Sequence, residues 1–258
     1  MIKLSTVIMC MNEEDKIARC IRSVQEISDE VLIVDSFSTD RTVEIAESLG
    51  ARIETRAFQG YIEQRALSVS LATNDWVLAL DADEFLSPGL IEEIKQILLN
   101  PDADAYYLNR SNAINNYFLK HGSWFPHRII RLFDRTKVSF SGNPPHDRIY
   151  AGPDTKSKKL KSLLLHHCNE DIHDRITTVN KHSSIAALHR FENGLKTNYL
   201  RILIKPSWKF FVEYILRLGF LDGFYGYLMA KTTAHYIYYR ESKLMEHWRD
   251  KKKQTHAS

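Results

Sequence analysis

The sequence contains neither a Gly-x-Gly-x-x-Gly run nor a Gly-x-x-x-x-Gly-Lys-Ser/Thr loop. A dinucleotide fingerprint and a kinase-type phosphate cradle are therefore unsupported. Cysteine is scarce: Cys10, Cys20 and Cys168 are odd in number and show no Cys-x-x-Cys spacing. That excludes a disulfide framework and a zinc knuckle, and reads as reduced thiols in a cytoplasmic protein. No apolar run approaches the roughly 18 residues of a spanning helix. The first apolar stretch, 4–11, gives way at once to Asn12, Glu13, Glu14 and Asp15, which is not a signal-peptide pattern. Charge of one sign is also lacking overall: the net value is +3 on 258 residues, so no nucleic-acid partner is expected. The distribution is uneven, with four lysines between Lys156 and Lys161 and three at 251–253. No internal repeat is visible. The hydrophobic share of 44% is that of a globular chain, long enough for one large domain or a domain with an appendage.

What is present is an alternation of strand and helix patterns. Apolar runs at 5–11, 31–34 and 76–80 read as buried strands, with a weaker one at 52–55. Between them, Ile17, Ile21 and Val24 recur at helical spacing after Asn12, which reads as an N-cap. Helical patterns follow over 41–49 and 62–72. A fourth helix opens at Ser87-Pro88, with Leu90, Ile91, Ile94, Ile97 and Leu98 as its apolar face. Such alternation predicts an α/β fold: a mostly parallel sheet flanked by helices.

Two strands end in acids at the edge where open α/β sheets bind ligands. One is Asp35, followed by Ser36. The other is the run Asp81-Ala82-Asp83-Glu84. In an extended segment Asp81 and Asp83 point to one side and can face one divalent cation, Mg²⁺ or Mn²⁺ by the hardness of their oxygens. Without a phosphate-binding loop, a diphosphate needs such an ion. A calcium loop is the rival, since Glu92 is the twelfth residue from Asp81, but Phe85 and Leu86 occupy positions that need an oxygen ligand and a glycine. Solvated loop charge is the plain alternative, and for Asp35 alone a hydrogen bond within its own turn.

The segments Val7–Glu14, Val34–Thr42 and Leu80–Glu84, in this order and spacing, resemble family-2 glycosyltransferases of the GT-A fold. Phe58-Gln59-Gly60-Tyr61, Gln64-Arg65 and Arg131-Leu132-Phe133-Asp134 resemble the bacterial subgroup that includes lipopolysaccharide inner-core β-glucosyltransferases. The resemblance implies a GT-A (Rossmann-like) catalytic domain over 1–170 and an inverting, metal-dependent transfer of a hexose, glucose by the subgroup, from a UDP-sugar donor. The acceptor implied is a saccharide or lipid-linked saccharide of the inner core. It also implies that Asn12, Glu13, Asp35, Ser36, Gln64, Arg65, Asp81 and Ala82 line the nucleotide-sugar pocket. Asp83, Asp81 and His166 would hold the metal, and Asp147, preceded by His146, would be the catalytic base. The family often shows a second Asp where Ser36 stands, an Asn where Ala66 stands, and Glu where Asp147 stands.

Residues 105–109 and 128–134 read as further strands around a long loop, 112–126, whose Trp124 either stacks on a sugar or packs internally. From 172 to 193 the pattern is helical. After Pro206 aromatic residues interleave with Lys205, Lys209, Arg217, Lys231 and Arg240. Over 171–249 this predicts a helical, aromatic-rich appendage, either an acceptor wall packed as a bundle or a peripheral contact with the inner leaflet of the plasma membrane. Residues 250–258 read as a disordered basic tail. Two rival functions are a membrane-surface scaffold with a degenerate fold and a sugar-phosphate nucleotidylyltransferase. The second lacks the Gly-rich loop it needs after the first strand.

Overall fold

The computed structural model describes residues 2–143, 146–169 and 171–257, without the side chains of 141–143, 146–148, 169 and 255–257. The chain divides into two compact units, Met1–Ser111 with His127–His167, and Asn112–Pro126 with Cys168–Ser258.

In the first unit, β1 (Leu4–Cys10), β2 (Glu30–Asp35), β3 (Arg52–Thr55) and β4 (Trp76–Asp81) pair in parallel in the order β3-β2-β1-β4. β1 is fully apolar at its centre because both its faces are covered. Leu4 and Ile8 pack with Ile33, Leu78 and Leu80 on one side. Val7 packs with Leu32, Val34, Val77 and Ala79 on the other. The register aligns Cys10 with Asp35 and Met9 with Asp81. Both acidic strand ends therefore lie at one edge of the sheet.

The crossovers are α1 (Ile17–Val24), α2 (Thr42–Ser48) and α3 (Tyr61–Ser70). After β5 (Glu84–Leu86) comes α4 (Pro88–Leu99), which buries Leu90, Ile94 and Leu98. Ser87 accepts from the Leu90 amide and Pro88 fills the first turn, as the sequence predicts. α1 starts later than expected. Asn12 is not its cap but sits at φ +55°, a conformation Asn tolerates better than most residues.

The parallel run β3-β2-β1-β4 ends at β4. Beyond it, β8 (His127–Asp134), β6 (Ala105–Ile114), β11 (Ser157–Asn169) and β5 complete the sheet. The β4–β8, β8–β6 and β11–β5 pairings are antiparallel. β9 (Val138–Asn143) and β10 (His146–Ala151) form a separate hairpin.

The second unit takes in 112–126, read from sequence as a loop between strands; here it includes β7 (Tyr117–Phe118), paired with the end of β6. Its helices are α5 (Ile172–Glu192), α6 (Tyr199–Phe211) and α7 (Gly223–Ala257), with a π turn at Val212–Leu216 and a 3₁₀ turn at Gly219–Asp222. A Cβ on Gly226 would lie 1.8 Å from the Gly219 carbonyl oxygen, so the first turns of α7 admit no side chain there. Asp222 is buried and accepts from the Lys120 and His121 amides at 3.1 and 2.8 Å. α7 as described runs to Ala257, through the stretch read from sequence as a basic tail. Among the described residues no helix is long and apolar enough to cross a membrane.

Candidate active site

The loops after β1 and β2 are tied to each other by side chain–backbone hydrogen bonds. The Asn12 carboxamide oxygen accepts from the Thr39 amide at 2.8 Å, and the Asn12 amide donates to Ser38 Oγ at 2.9 Å. The Glu13 amide donates to Thr42 Oγ1 at 2.7 Å, and the Glu13 carboxylate pairs with Lys16 at 3.1 Å. Asp35 is 1% exposed and accepts from the Ser38 amide at 3.0 Å and from the Ser38 hydroxyl. Its carboxylate is thus engaged inside its own turn, the plainer of the two readings. Beside it, Ser36 Oγ accepts from Gln64 Nε2 at 3.3 Å. Gln64 is 2% exposed and its Oε1 has no partner among the described residues, leaving a buried acceptor at this strand end.

At the end of β4, Ala82 and Asp83 form a turn before β5, so the extended-strand alternation expected for 81 and 83 does not apply. The two acids go different ways. Asp81 lies between two guanidinium groups, Arg65 and Arg131, each at 2.6 Å. Burial alone would push its carboxyl up, but Arg131, Arg65 and Arg110 outweigh burial and hold it far below the usual range. Glu84 is fully buried, pairs with Arg110 and Arg131 at 2.9 Å each, and accepts from the Asp81 amide at 3.1 Å. It too is held low: burial opposes this, and the Arg131 and Arg110 charges prevail. A buried carboxylate needs such compensation. Asp81, expected on the ribose or metal, is thus paired with arginine while its side chain keeps 32% exposure, and Ala82 is buried at 4%.

Asp83 has no arginine. Its Oδ2 faces His166 Nε2 at 3.1 Å, and the two side chains retain 22 and 12% exposure. They meet because β11 pairs with β5, Glu84 opposite His166, while the Asp83 carbonyl accepts from the His167 amide at 3.0 Å. The His167 ring turns elsewhere and packs on Phe85 at 5.4 Å. One carboxylate oxygen and one imidazole nitrogen form a donor set that suits a divalent cation whose remaining positions go to phosphate oxygens and water. No group of three or more His, Cys, Asp or Glu able to hold a metal occurs among the described residues.

His146 and Asp147 stand on β10 opposite Asn143 and Gly142, but their side chains lie outside the described residues. Trp124 is held within the second unit, with its indole N–H on Thr233 Oγ1 at 3.2 Å and the Arg175 guanidinium 4.6 Å above its ring. Sequence reasoning missed Arg110 and His127, which meet at 2.9 Å. Burial and the neighbouring Arg110 and Arg131 charges push the His127 imidazole down to about 4. A lone basic residue inside an apolar strand, as in Ile129-Ile130-Arg131-Leu132, was the available signal that a buried carboxylate lay opposite.

Residues 5–176 match the family model described as Glycosyl transferase family 2. The chain belongs to that family. It is 33% identical to an uncharacterized glycosyltransferase of Rickettsia typhi, over 95% of this chain and 87% of the relative. It is also 26% identical to the lipopolysaccharide core biosynthesis glycosyltransferase LpsC of Rhizobium meliloti, over 94% of this chain and 92% of that protein. A solved glucosyl-3-phosphoglycerate synthase of Mycobacterium tuberculosis with Mn²⁺ and UDP-glucose overlaps 43% of each chain, at 24% identity and a TM-score of 0.36. The family-2 chain is thus a glycosyltransferase with a mixed α/β sheet, in which β2 and β4 both end in an acid at one edge.

Proposed function

We propose that this glycosyltransferase is an inverting, divalent-metal-dependent hexosyltransferase. It moves a hexose, glucose by the subgroup resemblance, from a UDP-sugar to a saccharide acceptor of lipopolysaccharide inner-core type. The relative named as a lipopolysaccharide core glycosyltransferase supports the acceptor class. The observation that carries the reading is the partly exposed Asp83–His166 pair at 3.1 Å, beside carboxylates already compensated by arginine. Three guanidinium groups, Arg65, Arg110 and Arg131, face the two carboxylates Asp81 and Glu84 and hold them as the fixed frame beside Asp83.

In this reading Asp83 and His166 hold Mg²⁺ or Mn²⁺, which when bound withdraws charge from the departing diphosphate. Arg65 and Arg131 fix Asp81 and with it the turn that presents Asp83. The loops carrying Asn12, Glu13, Asp35 and Ser36 line the nucleotide, with Gln64 Oε1 as an acceptor for a base or ribose donor. Asp147, aided by His146, takes the proton from the acceptor hydroxyl as its oxygen attacks the anomeric carbon and the diphosphate leaves. That role rests on the resemblance.

The test is thermal melting with UDP, ATP or NAD, each with Mn²⁺ or with chelator. A shift for UDP that needs the metal is expected, worth about 2.7 kcal/mol at a hundredfold excess over the dissociation constant. Indifference to UDP in the presence of metal would overturn the reading.

A further inference from the structure

α6 is built with its apolar side outward. Leu200, Leu203, Ile204, Trp208 and Phe211 recur at the spacing that in a globular protein faces the core. Here they are 65, 69, 54, 60 and 42% exposed, and no residue of the helix is buried. Exposure of large apolar side chains continues along the chain through Leu216 at 58%, Leu221 at 55% and Phe224 at 61%. A run of this extent is unusual on a soluble monomer and marks a docking surface.

The charge accompanying this surface has one sign. Residues 196–231 carry six Lys or Arg and two acids, and both acids, Glu213 and Asp222, are buried. Arg201, Lys205 and Lys209 follow each other at four-residue intervals along one edge of the apolar stripe. Lys205 and Lys209 reach Glu241 and Glu213 at 3.5 and 2.6 Å, yet keep 42 and 33% exposure, and Arg201 is exposed.

We infer that α6 and the turn after it form a membrane-surface element that lies in the headgroup boundary of an anionic bilayer. The apolar stripe, with Trp208, enters the acyl boundary, and the basic edge meets lipid phosphates. Insertion across the bilayer is not open to it, since no helix among the described residues can span. A protein partner fits the composition less well, because lysine is depleted at protein interfaces whereas a basic edge beside an apolar stripe is the mark of interfacial helices.

The experiment is co-sedimentation of the full chain with vesicles of phosphatidylcholine, alone or mixed with phosphatidylglycerol. Neither sugar nucleotide nor metal is present, so its outcome is independent of the donor reading. Binding to the mixed vesicles is expected, weaker on phosphatidylcholine alone and reduced by salt. Leu203→Glu, at a position 69% exposed and so without consequence for folding, lowers partitioning at least about tenfold. Arg201→Glu lowers it about five- to tenfold on the mixed vesicles alone. Melting temperatures confirm that both variants fold. If wild type sediments equally with and without vesicles, the inference is overturned. It is equally overturned if wild type is a dimer that Leu203→Glu makes monomeric while neither binds vesicles, which would make the face a self-association surface.

Discussion

Both units bury a glutamate completely, and each unit compensates it differently. Glu84 in the first unit is held by Arg110, Arg131 and the Asp81 amide, groups carried on paired strands. Glu241 in the second is held by Arg240 at 2.8 Å, Lys205 at 3.5 Å, Arg190 at 3.9 Å and the Thr197 hydroxyl at 2.6 Å, groups on helices and a connecting turn. The first network stands next to Asp83, which pairs with His166 instead of an arginine, and in the proposed function this separates scaffold from ligand site within four residues. The second has no such neighbour: it anchors α6 by Lys205 while the apolar stripe of that helix stays outside. The same electrostatic device thus supports a binding edge in one unit and an outward helix in the other.

The strongest way to break this contrast is Arg131→Met, which leaves Asp81 and Glu84 short of a cation in a buried setting. A loss of about 3–5 kcal/mol is expected, read by urea unfolding. Next is Asp83→Asn. If Asp83 is the site and Asp81 the scaffold, transfer falls about 10²–10³-fold while the melting temperature barely moves. A parallel loss of stability would place Asp83 in the scaffold instead.

Glu241→Gln sharpens the second unit, at about 2 kcal/mol near neutral pH. Its carboxyl is raised by burial but lowered further by Thr197, Arg240 and Arg190, down to about 2 from an ordinary 4.5. A depressed carboxyl stabilises the fold above the unfolded value and loses that contribution as pH falls. Wild type is therefore expected to lose stability between about pH 4.5 and pH 2 by an amount the Gln variant does not lose. Equal acid profiles would show the Glu241 cluster to be inert. The smallest effect is Asn12→Ala, about 1 kcal/mol from left-handed backbone and the lost Thr39 bond, with Asn12→Gly recovering the backbone part.

In the parallel half, β1, β2 and β4 were legible because each carries an apolar run buried on both faces and closed by a polar residue, whereas β3 is short and half-exposed. Asp35 and Asp81 could be placed at one edge from that pattern alone, and the pairing register bears this out. In the other half β6 and β8 were read as strands, but the joining of β11 and β5 was not legible. β11 carries Lys158, Lys159 and Lys161 in its first half and reads as a charged surface, and β5 is three residues long. Their pairing is decided by tertiary contact rather than by period. The fates of Asp81 and Asp83 were hidden for a related reason. An Asp-x-Asp spacing says nothing about which carboxylate meets an arginine delivered from β8, fifty residues on.

Asp83 and His166 are 83 residues apart and are brought together by a strand that joins the edge of the sheet late in the chain. During synthesis the carboxylate leaves the ribosome long before its imidazole, and nascent chains begin folding from the N-terminus. The parallel strands β1 to β4 are complete by residue 81, so the sheet edge can form around a half-built ligand set. Only when β11 zips onto β5 does the second donor arrive. Any chain that stops short of His166 thus presents Asp83 alone, and completion of the donor pair reports that the whole of the first unit has been made.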